Sequence, residues 1–383
     1  MKITESACRI RVLHIVGGMG RGGVETWLMH ILRHIDRGRF QMDFMVHTAT
    51  PCPYDNEIRA LGGRILPCLR PDQPWRYARN FRRILASNAY QIVHSHVHHY
   101  SGYTLRLAQR AGAPIRIAHS HNDVFPQDSS PSPLRWIYLI TAKRWIRRFG
   151  TMRLAASGKA AEALFGSSWQ RSSTCRLLYY GIDLVPFRAQ ADPSVRAVLR
   201  LAPDAFVIGH VGRFDAQKNH CFLLEIFRNV ADADPRARLL LIGEGPLRPA
   251  IERRVAGLGL TERVLFAGVR PDVPRVLLGA VNVFVMPSLH EGLPLAGLEA
   301  QAAGLPCVFA TSITAELDVV PQLVTRLPLS QSSSTWSRVV LAKRDRPPPI
   351  TQLKALAMMG ASPFNIRTAA AELTRVYETA SAL

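Results

Sequence analysis

Apolar positions along the chain fall into short, β-branched runs separated by longer stretches of helical periodicity. In the first half the strand-like runs are residues 10–16, 42–47, 92–95, 115–119, 152–157 and 176–180. In the second half they are 207–211, 238–242, 264–267, 283–286 and 307–310. Strands that alternate with helical stretches predict parallel sheets with crossover helices, an α/β fold. Two such series within 383 residues imply two Rossmann-like domains. The join falls within residues 182–194, which hold Pro186 and Pro193 and lack sustained periodicity. The expected domains are therefore 1–188 and 189–363. Residues 363–380 read as a helix, and the polar, proline-rich stretch 329–349 carries no clear element.

Composition narrows the class. Hydrophobic residues make up 48% of the chain, enough for sizeable cores. No apolar run is long enough to span a bilayer. Residues 1–10 contain no signal-peptide h-region, so a cytoplasmic protein is expected. Six scattered cysteines with no Cys-x-x-Cys argue against a zinc site or a disulfide framework.

The formal charge of +20 is uneven: residues 1–190 carry 27 Lys/Arg against 11 Asp/Glu, and the remainder 21 against 17. A basic half points to a polyanionic partner. Nucleic acid is disfavoured, because zinc-finger spacing, RNP-type aromatics and a basic tail are all missing. The densest basic segment, 134–149, read as a helix, places Lys143/Arg147 and Arg144/Arg148 on one side and Leu139, Ala142, Ile146 and Phe149 on another. That pattern fits an anionic membrane surface. It fits equally a core-facing stripe with a solvated basic back.

Chemistry concentrates at the ends of predicted strands. The run Pro287-Ser288-Leu289-His290-Glu291-Gly292-Leu293-Pro294-Leu295-Ala296-Gly297-Leu298-Glu299-Ala300 follows the strand at 283–286. Pro294 stands where a first helical residue would be, placing Glu291 in a loop and Glu299 more than a turn into a helix. Two carboxylates there could accept hydrogen bonds from a polyol, and the adjoining helix start favours an anion. In the second half, Gly212-Arg213-Phe214-Asp215-Ala216-Gln217-Lys218-Asn219 places two cations on a loop before a helix, suited to a diphosphate.

In the first half, Gly17-Gly18-Met19-Gly20-Arg21-Gly22-Gly23-Val24-Glu25 opens a helix and contains Gly18-x-Gly20-x-x-Gly23. A dinucleotide site is one reading of it. An acidic ribose partner is not evident after the second strand, where His47-Thr48-Ala49-Thr50 stands. Histidines gather at His94-Ser95-His96-Val97-His98-His99 and at His119-Ser120-His121-Asn122-Asp123. They read as metal ligands or as ordinary site and core residues.

The stretch from Glu291 to Glu299 resembles the Glu-x7-Glu signature of the family 4 glycosyltransferases, including the trailing Glu299-Ala300-Gln301-Ala302-Ala303-Gly304-Leu305-Pro306. The likeness extends over nearly the whole chain. It is nearest to exopolysaccharide- and capsule-type members through Arg21-Gly22-Gly23-Val24-Glu25-Thr26, Gln41-Met42-Asp43-Phe44, Leu61-Gly62-Gly63, His94-Ser95-His96, His119-Ser120-His121-Asn122 and Ser362-Pro363-Phe364-Asn365-Ile366.

The resemblance implies the GT-B architecture, two Rossmann-like domains whose parallel sheets face a cleft, with a last helix (about 364–383) returning to the first domain. It implies a retaining transfer from a nucleotide-diphosphate sugar, UDP- favoured over GDP-linked, to a lipid-linked saccharide. Arg213 and Lys218 would hold the diphosphate, Glu291 the sugar and Glu299 the ribose. Gly22, Gly23, Gly245, Gly268, Gly292, Leu293 and Leu295 would line the donor site. His121, with His119 as its rival, would contact the donor sugar, and His96 would lie toward the acceptor. No metal or other cofactor is implied.

Two departures from the family pattern stand out. Val281-Asn282 replaces a common Asp, and Tyr180-Gly181-Ile182-Asp183 replaces an Asn-Gly-Ile-Asp run. A GT-B nucleotide-sugar 2-epimerase and a non-catalytic sugar- or polyanion-binding protein are the alternatives. The expected location is the inner face of the cytoplasmic membrane.

Overall fold

A computed structural model describes residues 9–69, 71–123 and 131–381. The chain forms two compact units, Met1–Gly181 with Ile366–Leu383, and Ile182–Asn365. The first division falls at the amino-terminal edge of the predicted join, ahead of the residue 188/189 boundary.

The first unit holds β1 (Ile10–Val16), β2 (Phe40–Val46), β3 (Ile65–Pro67), β4 (Ile92–Ser95), β5 (Ile115–Ser120), β6 (Met152–Ala155) and β7 (Cys175–Leu177). They form one sheet in the order β3-β2-β1-β4-β5-β6-β7, every pair parallel. Its connecting helices are α1 (Gly23–His34), α2 (Asp55–Ala60), α3 (Pro74–Ala86), α4 (Ser101–Arg110), α5 (Pro133–Phe149) and α6 (Gly158–Phe165).

The second unit holds β8 (Phe206–Val211), β9 (Ala237–Ile242), β10 (Val264–Phe266), β11 (Val283–Met286), β12 (Cys307–Ala310) and β13 (Val324–Leu327) in the order β10-β9-β8-β11-β12-β13, again all parallel. Its helices are α7 (Ser194–Val198), α8 (His220–Ala233), α9 (Arg248–Gly257), α10 (Val273–Gly279), α11 (Leu295–Ala302), α12 (Ser333–Leu341) and α13 (Gln352–Ala361). The last helix, α14 (Ile366–Ser381), belongs to the first unit and packs on α1.

Both sheets are doubly wound, so each has a point where the strand order reverses and loops diverge. In the first unit this lies between β1 and β4, in the second between β8 and β11. The central strands β4, β11 and β12 are buried along their whole length, which explains their unbroken apolar runs.

Two edge strands, β3 and β13, escaped the sequence reading. Each is short and only partly buried, so the apolar signal is weak. The unassigned stretch 329–349 contains α12, capped by the Ser332 hydroxyl and anchored by the fully buried Trp336. Asn282, one departure from the family pattern, ties β8 to its neighbour: its side-chain oxygen accepts from Val207 N (2.8 Å) and from Arg196 Nη2 (2.9 Å).

Candidate active site

The second unit builds its site from the loops that follow β8 and β11. After β8 the chain turns through Gly212–Asn219, where the Asp215 carboxylate accepts from Lys218 N and caps a short 3-10 turn. Asn219 then takes a left-handed conformation (φ 54°, ψ 44°), which Asn tolerates better than most residues, and α8 begins. Its side chain donates to Pro287 O (3.1 Å), and Leu289 N donates to Gln217 O (2.8 Å), so the two loops are sewn together.

Into that seam project Lys218 and Glu291. Lys218 Nζ donates to Glu291 Oε1 at 2.5 Å, and Gln217 Nε2 donates to Oε2 at 2.9 Å. Both carboxylate oxygens are thus held, and Glu291 is 4% exposed. Arg213 sits on the same loop, exposed, and its guanidinium has no ion-pair partner among the described residues.

Pro294 precedes α11 in extended conformation (ψ 113°) rather than occupying its first position. Glu299 is the fifth residue of that helix. Burial pushes its carboxyl up to about 7. Gly292, Leu293 and Leu295 are buried beside it in sequence.

The loops after β9 and β10 complete the wall. Gly212 N donates to Ile242 O, Phe214 N to Glu244 O, and Gly243 N to Gly268 O, each at 2.9–3.0 Å. At Gly245 a Cβ would stand 2.5 Å from Phe214 O and 2.6 Å from Phe214 N, so only glycine lets these backbones approach. Gly268 has φ +63°.

His210 and His220, which the sequence reading did not single out, pack beneath the β8 loop. The His210 Nδ1–H donates to Val285 O (2.8 Å), and Phe214 stacks on His220 with ring centroids 4.4 Å apart. Burial holds His220 down to about 4. Histidines scattered singly through a sequence give no signal of such packing.

In the first unit, Gly22 caps α1 and Gly23 opens it, with the Glu25 side chain folded back over Gly22. The histidine runs of β4 and β5 converge with His14 of β1 in one layer. His14 Nδ1 bonds His96 Nε2 (2.9 Å), His96 Nδ1 bonds His121 Nε2 (2.8 Å), and His121 Nδ1 bonds the Tyr180 hydroxyl. Separately, the Tyr377 hydroxyl bonds His94 Nδ1 (2.9 Å) and His94 Nε2 bonds His119 Nδ1 (3.1 Å).

All five rings are buried, and burial holds each far below the ordinary imidazole range, His14 and His121 to about 3. Both nitrogens of His121 have partners within the first unit, His96 Nδ1 and the Tyr180 hydroxyl. The rival His119 is fully buried, and its Nε2 has no hydrogen-bond partner among the described residues. Among the described residues, two trios, His14/His94/His96 and His96/His119/His121, bring nitrogens within 4.8 Å of one another and could hold a metal.

The basic segment forms α5, capped by Ser132. Ala142 and Ile146 are buried and Leu139 and Phe149 half-buried, so the predicted apolar stripe faces the core. The amino-terminal half behaves differently: Leu134 (81%), Trp136 (57%), Ile137 (56%), Tyr138 and Ile140 are exposed. No helix among the described residues is long and apolar enough to cross a membrane.

Each unit holds a doubly wound parallel sheet, and the second places a cation–carboxylate knot at its switch point, where open α/β sheets bind ligands. Residues 22–177 match the family described as "Glycosyl transferase 4-like domain", and residues 205–327 match "Glycosyl transferases group 1". The putative glycosyltransferase EpsF of Bacillus subtilis is 38% identical over 338 residues, 86% of each chain. An Escherichia coli UDP-Gal:α-D-GlcNAc-diphosphoundecaprenol α-1,3-galactosyltransferase is 29% identical over 59% of each chain. Among solved structures, Anabaena HepE in complex with UDP and glucose superposes with a TM-score of 0.79 at 18% identity, covering 97% of this chain and all of the other. The chain belongs to the family 4 glycosyltransferases, enzymes of GT-B architecture.

Proposed function

We propose that the enzyme transfers a sugar, with retained anomeric configuration, from a nucleotide-diphosphate sugar to a hydroxyl of a lipid-linked saccharide in exopolysaccharide, capsule or related surface-glycan synthesis. The observation that carries this reading is the knot of Lys218, Gln217 and Glu291 at the carboxyl ends of β8 and β11. It fixes a carboxylate able to accept from sugar hydroxyls beside a cation able to meet the leaving diphosphate. Arg213, exposed on the same loop, adds a second positive charge, so the reading calls for no metal. Charge that develops on the diphosphate as its bond to the anomeric carbon breaks is stabilised best by donors already in place. Glu299 takes the ribose diol, and the loops closed at Gly245 and Gly268 face the base.

A uridine nucleotide is favoured over a guanosine one because the E. coli relative is named for UDP-Gal and HepE holds UDP. The same relative, named for a diphosphoundecaprenol substrate, supports a lipid-linked acceptor. Such an acceptor lies at a membrane. The exposed apolar half of α5, followed by Lys143, Arg144, Arg147 and Arg148, suits docking on the anionic inner face of the cytoplasmic membrane. His96 is assigned to the acceptor side.

The test is nucleotide release from a panel of UDP- and GDP-sugars, with and without an undecaprenyl-diphosphate-linked saccharide, with the product's anomeric configuration read by NMR. Acceptor-dependent release and a retained anomer are expected. Isomerised sugar without acceptor would identify an epimerase, and an inverted anomer would remove the retaining assignment.

A further inference from the structure

An ammonium on a flexible four-carbon stem is aimed only where the stem is held. Glu291 fixes Lys218 Nζ at 2.5 Å, but an ion pair fixes the tip alone. The path of the stem is set elsewhere. A Cβ added at Gly212 would stand 3.0 Å from Lys218 Cε, 3.1 Å from Lys218 Cδ and 3.1 Å from His210 Nε2. The stem therefore crosses the strand end over the bare backbone of Gly212, with one nitrogen of His210 beside the same spot.

The register of β8 brings the two residues together. Gly212 N donates to Ile242 O (2.9 Å), which carries the pairing with β9 one residue past Val211. Residues 210 and 212 therefore face the same side. Gly212 is not among the glycines of positive φ, so what it supplies is room, not an unusual backbone. His210 is held from behind: the ring is fully buried, and Nδ1 lies 2.8 Å from Val285 O. A carbonyl oxygen only accepts, so Nδ1 carries the proton and Nε2 of the neutral ring is a lone pair. Burial above all, with a smaller contribution from Lys218, keeps the ring well below the ordinary imidazole range. Among the described residues Nε2 has no hydrogen-bond partner. Its neighbour is the Lys218 stem, whose methylene next to the ammonium is positively polarised and attracts a lone pair.

We propose that His210 and Gly212 are positioning residues for the transfer: together they form a seat for the Lys218 stem that aims Nζ at Glu291 and at the leaving diphosphate. His210 sets a fixed lone pair against the stem, and Gly212 leaves the space in which the stem crosses. Neither meets the substrate in this scheme. A stem confined before the donor arrives leaves little reorganisation for the step in which charge develops. The link to turnover rests on the sugar transfer proposed above, whereas the seat is a property of the free protein.

The experiment has two arms. In the first, the full chain, free of nucleotide, is labelled with 13Cε-lysine and read by 1H–13C correlation NMR. The chain has six lysines, and the Lys218 signal is the one lost in Lys218→Ala. A seated stem gives two separate Hε resonances displaced by the His210 ring. Gly212→Ala puts a methyl where the stem lies. His210→Asn keeps an amide able to donate to Val285 O but lacks Nε2. Each is expected to merge the two resonances, and either suffices where the other does not fold. A single averaged Hε resonance in the wild type overturns the seat, as does an unchanged spectrum in a folded variant.

In the second arm, kcat is expected to fall about tenfold to a hundredfold in each variant, with donor KM within about threefold, the effect of misplacing a catalytic group by about 1 Å. In a Lys218→Ala background the same substitutions are expected to change kcat by no more than about twofold, because they act only through the lysine. Losses that multiply in that background overturn the positioning role, since a merely structural defect persists without the lysine. Unaltered kcat in both variants, with Lys218→Ala impaired, overturns it too and leaves the proposed transfer intact. Lys218→Ala with wild-type kcat would overturn the role of the lysine in that reaction, and the link to turnover with it, while the spectra still decide the seat.

Discussion

Lys218 Nζ and Glu291 Oε1 lie 2.5 Å apart although 73 residues separate them in the chain. The pair is largely withdrawn from solvent, with side-chain exposures of 14% and 6%. Ion pairs of this kind are strongly coupled, because removing one partner strands the other. Lys218→Ala is expected to lower kcat by about 10²–10³, the range for loss of one preorganised electrostatic donor. Glu291→Gln should also impair turnover. The double variant should lose less than the sum of the two, with a coupling energy of about 1–3 kcal/mol. The measurement is kcat/KM for the four proteins; additive losses would separate the two residues functionally.

Glu299 supplies a pH signature. Burial raises its carboxyl from 4.5 to about 7, so the folded protein holds the proton more tightly than the unfolded chain. The resulting stabilisation is complete below the unfolded value and is lost as pH rises from about 4.5 to about 7; above that, the ionised folded form carries a penalty of at most about 3 kcal/mol. A ribose diol donates to the ionised carboxylate, so donor affinity should run the other way, weakening as pH falls through about 7. With a UDP-sugar, whose diphosphate does not titrate in this range, calorimetric Kd values between pH 6 and 8 should show that trend. Glu299→Gln should weaken binding, flatten the pH dependence and raise the melting temperature at pH 8. A pH-dependent affinity that persists in the variant would assign the titration to another group.

Sequence periodicity carried the fold where strands were buried on both faces, as in β4, β8 and β11, because their apolar runs leave little choice. It failed at β3 and β13, where half-buried edges need no such run. Spacing alone placed Glu291 in a loop and Glu299 in a helix. Contacts that join distant segments were not legible: Gln217 on Glu291, Asn219 on Pro287 and the His14–His96 link each depend on which strands become neighbours. The same holds for His121, whose nitrogens meet partners 25 and 59 residues away.

Gly245 tests the donor-site wall without touching a charge. An added methyl would stand 2.5 Å from Phe214 O, a backbone atom that cannot rotate away. Gly245→Ala must therefore push apart the loops after β8 and β9, which carry Arg213 and Glu244. Strain of this kind costs about 1–3 kcal/mol. Donor KM should rise by roughly tenfold or more, in keeping with that energy, while the far-ultraviolet circular dichroism stays unchanged. Wild-type KM in Gly245→Ala would show that the donor does not read this approach.

The exposed half of α5 makes the membrane assignment testable on two independent terms. Trp136 and Ile137 would enter the interface, and Arg144, Arg147 and Arg148 would face acidic headgroups; all five are exposed. Trp145 is not part of this surface, since Arg106 lies over its ring at 4.5 Å. Each basic residue near an anionic surface contributes about 1 kcal/mol. Charge reversal at Arg144 and Arg148 should therefore lower partitioning into phosphatidylglycerol vesicles by at least about a hundredfold, most strongly at low salt. Trp136→Ser with Ile137→Ser should weaken binding by an amount that salt does not change, because apolar burial is not screened. Co-sedimentation with anionic and zwitterionic vesicles separates the two terms. If both variants partition like the wild type, α5 does not dock the enzyme, and a lipid-linked acceptor must be met by another surface.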